Sequence, residues 1–324
     1  MMKGICIYAE SANQVLDATF HELLAAAHII KNKTDEPIQV LLAAEKCDLL
    51  VKQICNLAVD ELYVIETKVT VLFKDDALSK VMASALERFK PSCVLIPATL
   101  TGRSLFSRVA VINNAGLTSD CTGLDVATHD DGSFYIKQNK PSFGSSEMVS
   151  IVARRRPQMF TICQGVFSPH KESCSREKKV CYISDIPLPS SSIEIIEETR
   201  IIEATESISA AEVVVVAGRG TLEGDNLSMV HKFASKIGGI VAGTRPLSDE
   251  GLIPFENQIG QTGCTIKPKI CVSFGVSGAI QHVEGLRDVK LFIAVNSDKD
   301  AAIFNVADYG VVGDMKEVLH SLVE

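Results

Sequence analysis

No stretch of this sequence reaches the roughly 18 consecutive apolar residues that a bilayer-crossing helix needs, so membrane insertion is not expected. Met1–Tyr8 lacks a basic segment followed by a long apolar core, and it reads as a first strand, not as a secretory leader. Positive charge is not in excess. The 32 Lys and Arg against 40 Asp and Glu leave a net charge of −8, and no basic, aromatic-rich tract occurs. Both features argue against a nucleic-acid surface. None of the ten cysteines forms a Cys-x-x-Cys pair. Spacing carries the signals for disulfide frameworks and metal clusters, so neither is expected and no metal ligands are assigned. Scattered thiols of this kind suit a reducing cytoplasm. No Gly-x-Gly-x-x-Gly follows the first strand, where Ala9-Glu10-Ser11 stands, so the N-terminal half lacks the dinucleotide fingerprint. No acid/base pair stands out either, and no catalytic residue is assigned.

What is there is a chain of 324 residues, 46% hydrophobic and 22% charged, long enough for two cored domains. Its first part alternates strand and helix patterns. Strands are expected at Lys3–Tyr8, Ile38–Leu42, Leu62–Ile65 and Cys93–Ile96. Helices are expected at Leu16–Ile30, Leu49–Leu57 and Leu78–Phe89. This alternation predicts a parallel sheet covered by helices. Thr99–Val111 reads as a helix start, with Thr101, Gly102 and Arg103 as candidate anion ligands. After Asp125 the texture turns to short β-prone segments. Asp130-Asp131-Gly132 marks a hairpin turn, Pro141–Gly144 a loop, and Val149–Ala153 and Met159–Cys163 further strands. Arg154-Arg155-Arg156 is either a solvated loop or a contact for an acidic partner.

Pro187–Ser192 is the best linker in the chain. The domain boundary is placed near it, with room for Ile193–Ile202 as a last strand of the first domain, giving domains 1–205 and 206–324. The second opens on a strand at Glu212–Ala217 and the loop Gly218-Arg219-Gly220. A helix follows with Val230, Phe233, Ala234 and Ile237 on one face, stopped by Gly238-Gly239. Gly218, Gly220 and Gly224 imitate a dinucleotide loop, but no Asp or Glu lies in Asn226–Leu247, where an acid about 20 residues on would hold an NAD ribose. Arg219, flanked by glycines, can face a pyrophosphate, since a guanidinium fork suits phosphate oxygens. Leu291–Val295 is a buried strand ending at Asn296, and Met315–Val323 a closing amphipathic helix.

Two clusters in the last third carry the chemistry: Thr244-Arg245-Pro246 with Ile259-Gly260-Gln261-Thr262-Gly263, and Gly275-Val276-Ser277-Gly278-Ala279-Ile280-Gln281-His282. The second follows a strand at Lys269–Phe274, and Ala279–Val283 has the composition of a helix start. A strand, glycine turn and helix start is how α/β proteins turn unpaired N–H groups toward a phosphate. Gly275–Ala279 also nearly matches the Gly-x-Ser-x-Gly nucleophile elbow of hydrolases, with His320 downstream, but Ala279 replaces the last glycine. A flavin reading uses more of the inventory: donors in Gln281 and His282, a cation in Arg245, and N–H groups around Ser277 and Gly278.

These motifs resemble the FAD-binding domain of the electron transfer flavoprotein alpha subunit. The likeness continues through Ala294-Val295-Asn296 and Ala307-Asp308-Tyr309-Gly310, and upstream through Arg156-Pro157-Gln158-Met159 and Gly116–Gly123. The resemblance implies two α/β domains: a parallel-sheet, nucleotide-binding-like domain with added β hairpins that serves as scaffold and beta-subunit interface, and a Rossmann-like FAD-binding domain. It implies that Arg245 lies against the isoalloxazine, Thr262 near its N5 and His282 against the pyrimidine ring. Gln261 with Ile259 and Gly260 would line the ribityl side, and Ser277, Gly278, Ala279, Ile280 and Gln281 would wrap the pyrophosphate. Arg219, Thr244, Asn296, Asp314 and Met315 would contact the diphosphate or adenosine end. Where the family usually has Arg-Pro after the Arg-Pro-Gln-Met block, this chain has Cys163-Gln164. Its Pro-x-Phe-Gly loop is followed by Ser145-Ser146.

The expected role is electron carriage, not transformation of a substrate: a heterodimer with the beta subunit that shuttles electrons from flavin dehydrogenases such as acyl-CoA dehydrogenase, as in fatty acid oxidation. A bifurcating version would pass electrons from NADH to ferredoxin as well as to a dehydrogenase. A non-redox nucleotide-binding module is the reading from another class.

Overall fold

The structure is a computed structural model. It describes residues 2–12, 14–67, 74–130, 132–142, 147–170, 173–174, 177–187, 189–197, 208, 211–286 and 289–323. They divide into two compact units, one on the N-terminal side of residue 199 and one on the C-terminal side of residue 200.

In the first unit, β1 (Ile5–Ala9) leads through the two-residue strands β2 (Ser11–Ala12) and β3 (Val15–Leu16) into α1 (Thr19–Thr34). Then come β4 (Ile38–Ala44), α2 (Asp48–Cys55), β5 (Glu61–Glu66), α3 (Asp75–Phe89), β6 (Cys93–Pro97) and α4 (Leu100–Ile112). The remaining strands are β7 (Leu117–Cys121), β8 (Gly123–Thr128), β9 (Phe134–Ser142), β10 (Glu147–Ile151), β11 (Gln158–Ile162) and β12 (Lys179–Tyr182). Seven of these form a parallel sheet in the order β12-β5-β4-β1-β6-β11-β7. β1, β6 and β11 are buried along their whole length, as a sheet covered on both faces requires. Successive residues of β1 point to opposite faces. Ile5, Ile7 and Ala9 therefore pack with α1 and α2, and Cys6 and Tyr8 with α3 and α4. A separate antiparallel sheet of β10-β9-β8 supplies the added hairpins.

Several expectations change. Leu16 does not begin α1, because it pairs with Ser11, and Asp17 accepts the Thr19 N–H at 2.8 Å to start the helix three residues later. Pro141 lies in β9 opposite Met148, near the strand end, where its missing N–H leaves the ladder intact. Met159–Ile162 is a strand as expected, and it lies in the main sheet between β6 and β7. Residues 193–197 carry no strand. Asp76 accepts Ser191 Oγ (2.7 Å) and Ser192 N (2.6 Å), tying this segment to α3 through side-chain bonds, and Ile196 is exposed. The rest of the expected strand, the loop residues Phe143–Ser146 and the turn residue Asp131 lie outside the described residues.

The second unit contains β13 (Val213–Ala217), α5 (Asn226–Lys236), β14 (Ile240–Gly243), α6 (Arg245–Asp249), β15 (Ile270–Phe274), α7 (Ile280–Val283), β16 (Leu291–Asn296), β17 (Tyr309–Val312) and α8 (Met315–Val323). Its strands form one parallel sheet, β14-β13-β15-β16-β17. This is the doubly wound order in which the chain turns back between β13 and β15, opening a crevice at their C-terminal ends. Met229, Val230, Phe233 and Ala234 bury one face of α5, and Phe233 meets Phe274 edge-on at 5.6 Å. Ile237 falls outside the helix and is part-exposed, because the chain has already turned toward Gly238. The short strands β14 and β17 were not legible: each has four residues, and every residue of β17 is exposed.

Candidate functional site

A cleft of about 1050 Å³ opens at the crevice of the second sheet. Its floor is the loops that leave β13, β15 and β16: Arg219 and Gly220, then Gly275, Val276 and Ser277, then Asn296 and Asp298. Two of these loops cross in near-contact. A Cβ on Gly218 would come within 2.2 Å of the Gly275 carbonyl oxygen, so glycine there is a requirement of packing. Gly220 N donates to Gly275 O across the same crossing. Gly278 has φ +86°, and a Cβ on it would lie 2.1 Å from Ile303 N. That room lets Ile303 N donate to Ser277 O at 3.2 Å.

The two sequence clusters meet as one wall. Gln261 N donates to Gln281 O at 2.7 Å, Ile266 N to Gly285 O at 2.9 Å, and His282 Nδ1 to Ile259 O at 3.0 Å. Since a carbonyl can only accept, Nδ1 carries the proton and His282 Nε2 is left with its lone pair. Burial pushes the imidazole below its ordinary 6.5, so it stands neutral at pH 7 and is not the fixed cation that a negative ring would favour. Thr244 stands at the N-cap position of α6 with no side-chain capping bond, and the first helical residue, Arg245, is exposed and paired with Asp249 at 3.3 Å.

All but four of the expected site residues line this cleft. Gly278 serves the loop crossing just described, and Ile280 is exposed at the start of the single-turn α7. Asp314 accepts Lys316 N at 2.8 Å as the turn that starts α8, and Met315 packs over Gly220 and Gly275. Asn296 lines the cleft with its amide engaged: Nδ2 donates to Val276 O at 2.8 Å, and Oδ1 accepts Asp298 N at 2.9 Å. Leu222, Glu223, Gln258, Asp298, Asp300, Ala301 and Ala302 line the cleft as well, though no sequence motif marked them. Only the rule that ligands sit beyond the strand ends could have pointed to the stretch after β16.

Other candidates resolve differently. At the turn-back point of the first sheet, Glu10 accepts Thr99 Oγ1 at 2.5 Å, and burial raises its carboxyl pKa. A Cβ on Gly102 would meet Pro97 O at 2.2 Å, and Arg103 pairs with Asp120 at 2.7 Å. Thr101–Arg103 is therefore a packed helix start beside an acid, not an anion site. His320 is exposed on α8 and outside the cleft that Ser277 lines, so the pairing of the elbow serine with His320 fails. The basic run splits: Arg155 donates to Asn114, and Arg156 lies 4.7 Å over the Phe134 ring, while Arg154 lines an open hollow of about 700 Å³ with His129 and Tyr135. None of the ten cysteines is in a disulfide. Among the described residues no group of His, Cys, Asp and Glu could hold a metal ion, and no helix is long and apolar enough to cross a membrane.

Two polar atoms buried in the cleft region, Thr244 Oγ1 and His282 Nε2, have no partner. Buried polar atoms are ordinarily bonded, so both suit a ligand with polar edges. Sheet order, crevice and glycine floor define a doubly wound domain of the dinucleotide-binding class. Residues 207–287 match the family described as the electron transfer flavoprotein FAD-binding domain, and residues 5–187 the electron transfer flavoprotein domain. The chain belongs to the electron transfer flavoprotein family, on its alpha-subunit side, and its cofactor is FAD. It is 35% identical to Protein FixB of Clostridium saccharobutylicum, over 99% of this chain and 95% of that one. Identity is 32% to the electron transfer flavoprotein subunit alpha of Thermoanaerobacterium thermosaccharolyticum, over 99% and 97%. It is 34% to the lactate dehydrogenase (NAD(+),ferredoxin) subunit LctC of Acetobacterium woodii, over 100% of this chain and 77% of that one.

Proposed function

We propose that this chain holds one FAD in the cleft at the ends of β13–β16 and, with a beta subunit, carries electrons between flavin dehydrogenases of the acyl-CoA type and a further acceptor. The observation that carries this is the convergence of two distant sequence clusters on one crevice, with unpartnered polar atoms inside it. Arg245 and Thr262 would flank the isoalloxazine, Thr262 beside its N5. His282 Nε2 would accept from the ring imide or, once protonated, donate to a ring carbonyl. Ile259, Gly260 and Gln261 would line the ribityl chain, and Ser277–Gln281 the pyrophosphate. Arg219, Thr244, Asn296, Asp314 and Met315 would serve the diphosphate and adenosine, Asn296 and Met315 by holding the loops they touch. When bound, the flavin supplies one-electron and two-electron chemistry, while these residues bind it, orient it and set its electrostatic surroundings.

The domain boundary belongs near residue 205, between the two family matches that end at 187 and begin at 207. Cysteines left unbridged support a cytoplasmic setting. A bifurcating role is the second reading, favoured by the likeness to LctC along the whole of this chain. Co-purification with the beta subunit and a flavin count tests both. One FAD per heterodimer supports the simple carrier, two support bifurcation, and a colourless complex after reconstitution with FAD overturns the assignment.

A further inference from the structure

Gln258 is fixed on several sides. Its N–H donates to Phe255 O at 3.0 Å, and its carbonyl accepts Cys264 N at 2.7 Å. It bridges Gly243 in parallel fashion, and a Cβ on Gly263 would come within 2.2 Å of its carbonyl oxygen, so the loop folds tightly back on it. The residue is only 2% exposed, yet it lines the cleft. Its side-chain Nε2 donates to Thr262 Oγ1 at 3.0 Å.

A threonine hydroxyl has one proton and two lone pairs, whereas an amide NH2 can only donate. With one lone pair engaged by Gln258, the Thr262 proton cannot return along the same bond and is left for another acceptor. Thr262 lines the cleft, so a ligand seated there can take that proton. We propose that Gln258 is a positioning residue that turns the Thr262 hydroxyl into a donor aimed at the bound cofactor. The proposal rests on the cleft being the FAD site with Thr262 beside ring N5. A donor there favours the form of the ring that carries added negative charge. Gln258 thereby raises the tendency of the flavin to take its first electron by acting through Thr262.

A double-mutant cycle on the flavin-loaded heterodimer tests this: wild type, Gln258→Met, Thr262→Val and both together. The measurements are FAD content and the one-electron midpoint potential of the bound flavin. The expectation for Gln258→Met is a tenfold weaker preference for the first electron, about 59 mV lower. No further lowering is expected once Thr262 is valine. Gln258→Glu, which keeps the shape and accepts the hydroxyl proton, runs the same cycle if the methionine variant folds poorly. Equal shifts with and without the Thr262 hydroxyl would overturn the proposal, and so would an unchanged potential in either Gln258 variant. A wild-type complex without flavin would instead remove the cofactor reading beneath it.

Discussion

Arg245 shows how far one side chain can be read from its neighbours. A unit charge about 4 Å from a negatively charged ring is worth roughly 4 kcal/mol at an effective dielectric of 20, on the order of 170 mV for one electron. In the structure Arg245 is mostly exposed and shares its charge with Asp249 at 3.3 Å. Solvent and the carboxylate both screen it, so that figure is an upper bound. Arg245→Ala should lower the one-electron potential of the bound flavin by less than this, and Asp249→Asn should raise it. A redox titration in which neither variant moves the potential would remove Arg245 from the ring. His282 teaches the opposite lesson. The sequence offered an imidazole as a donor to the ring, but burial keeps it neutral, and with Nδ1–H given to Ile259 O its Nε2 is left as an acceptor.

Among elements, the turn after β15 has the least freedom. Gly278 takes a positive φ of 86° and leaves no room for a Cβ beside Ile303 N. Gly278→Ala should therefore cost on the order of 2–3 kcal/mol in stability, and it should reduce FAD retention because the Ser277 loop is pushed from the cleft. Denaturant unfolding together with a flavin count checks this, and a fully stable, fully loaded variant would contradict the packing argument. Gly224 offers the contrast, since nothing stands within 4 Å of a Cβ built there. Its substitution should be limited to the strain of its φ of +60° and should spare the cleft.

In the molecule as a whole, the two units have separate cores. The clusters around α1–α4 draw on residues up to Ile186, and those around β13–β16 on Ile208 and later residues. Phe274 is fully buried in the second unit. Phe274→Ala should destabilise that unit by about 3–5 kcal/mol and leave the first unit's transition in place. Calorimetry of the full chain reads this directly, and a single transition shifted as a whole would show that the units unfold together. What the sequence by itself determined was the strand and helix alternation, the two-part organisation and the motif words of the cleft. Each rests on local chemistry: β1 and β6 as apolar runs, α3 by its 3.6-residue spacing, and the glycines by their turns. Only the tertiary structure decided that β11 enters the first sheet, that β14 and β17 exist, that Asn296 spends its amide on the protein, and that Gln258 holds Thr262. Each of these depends on a partner far away in the chain or hidden in a fold, and no local pattern specifies which distant N–H or carbonyl a side chain will meet.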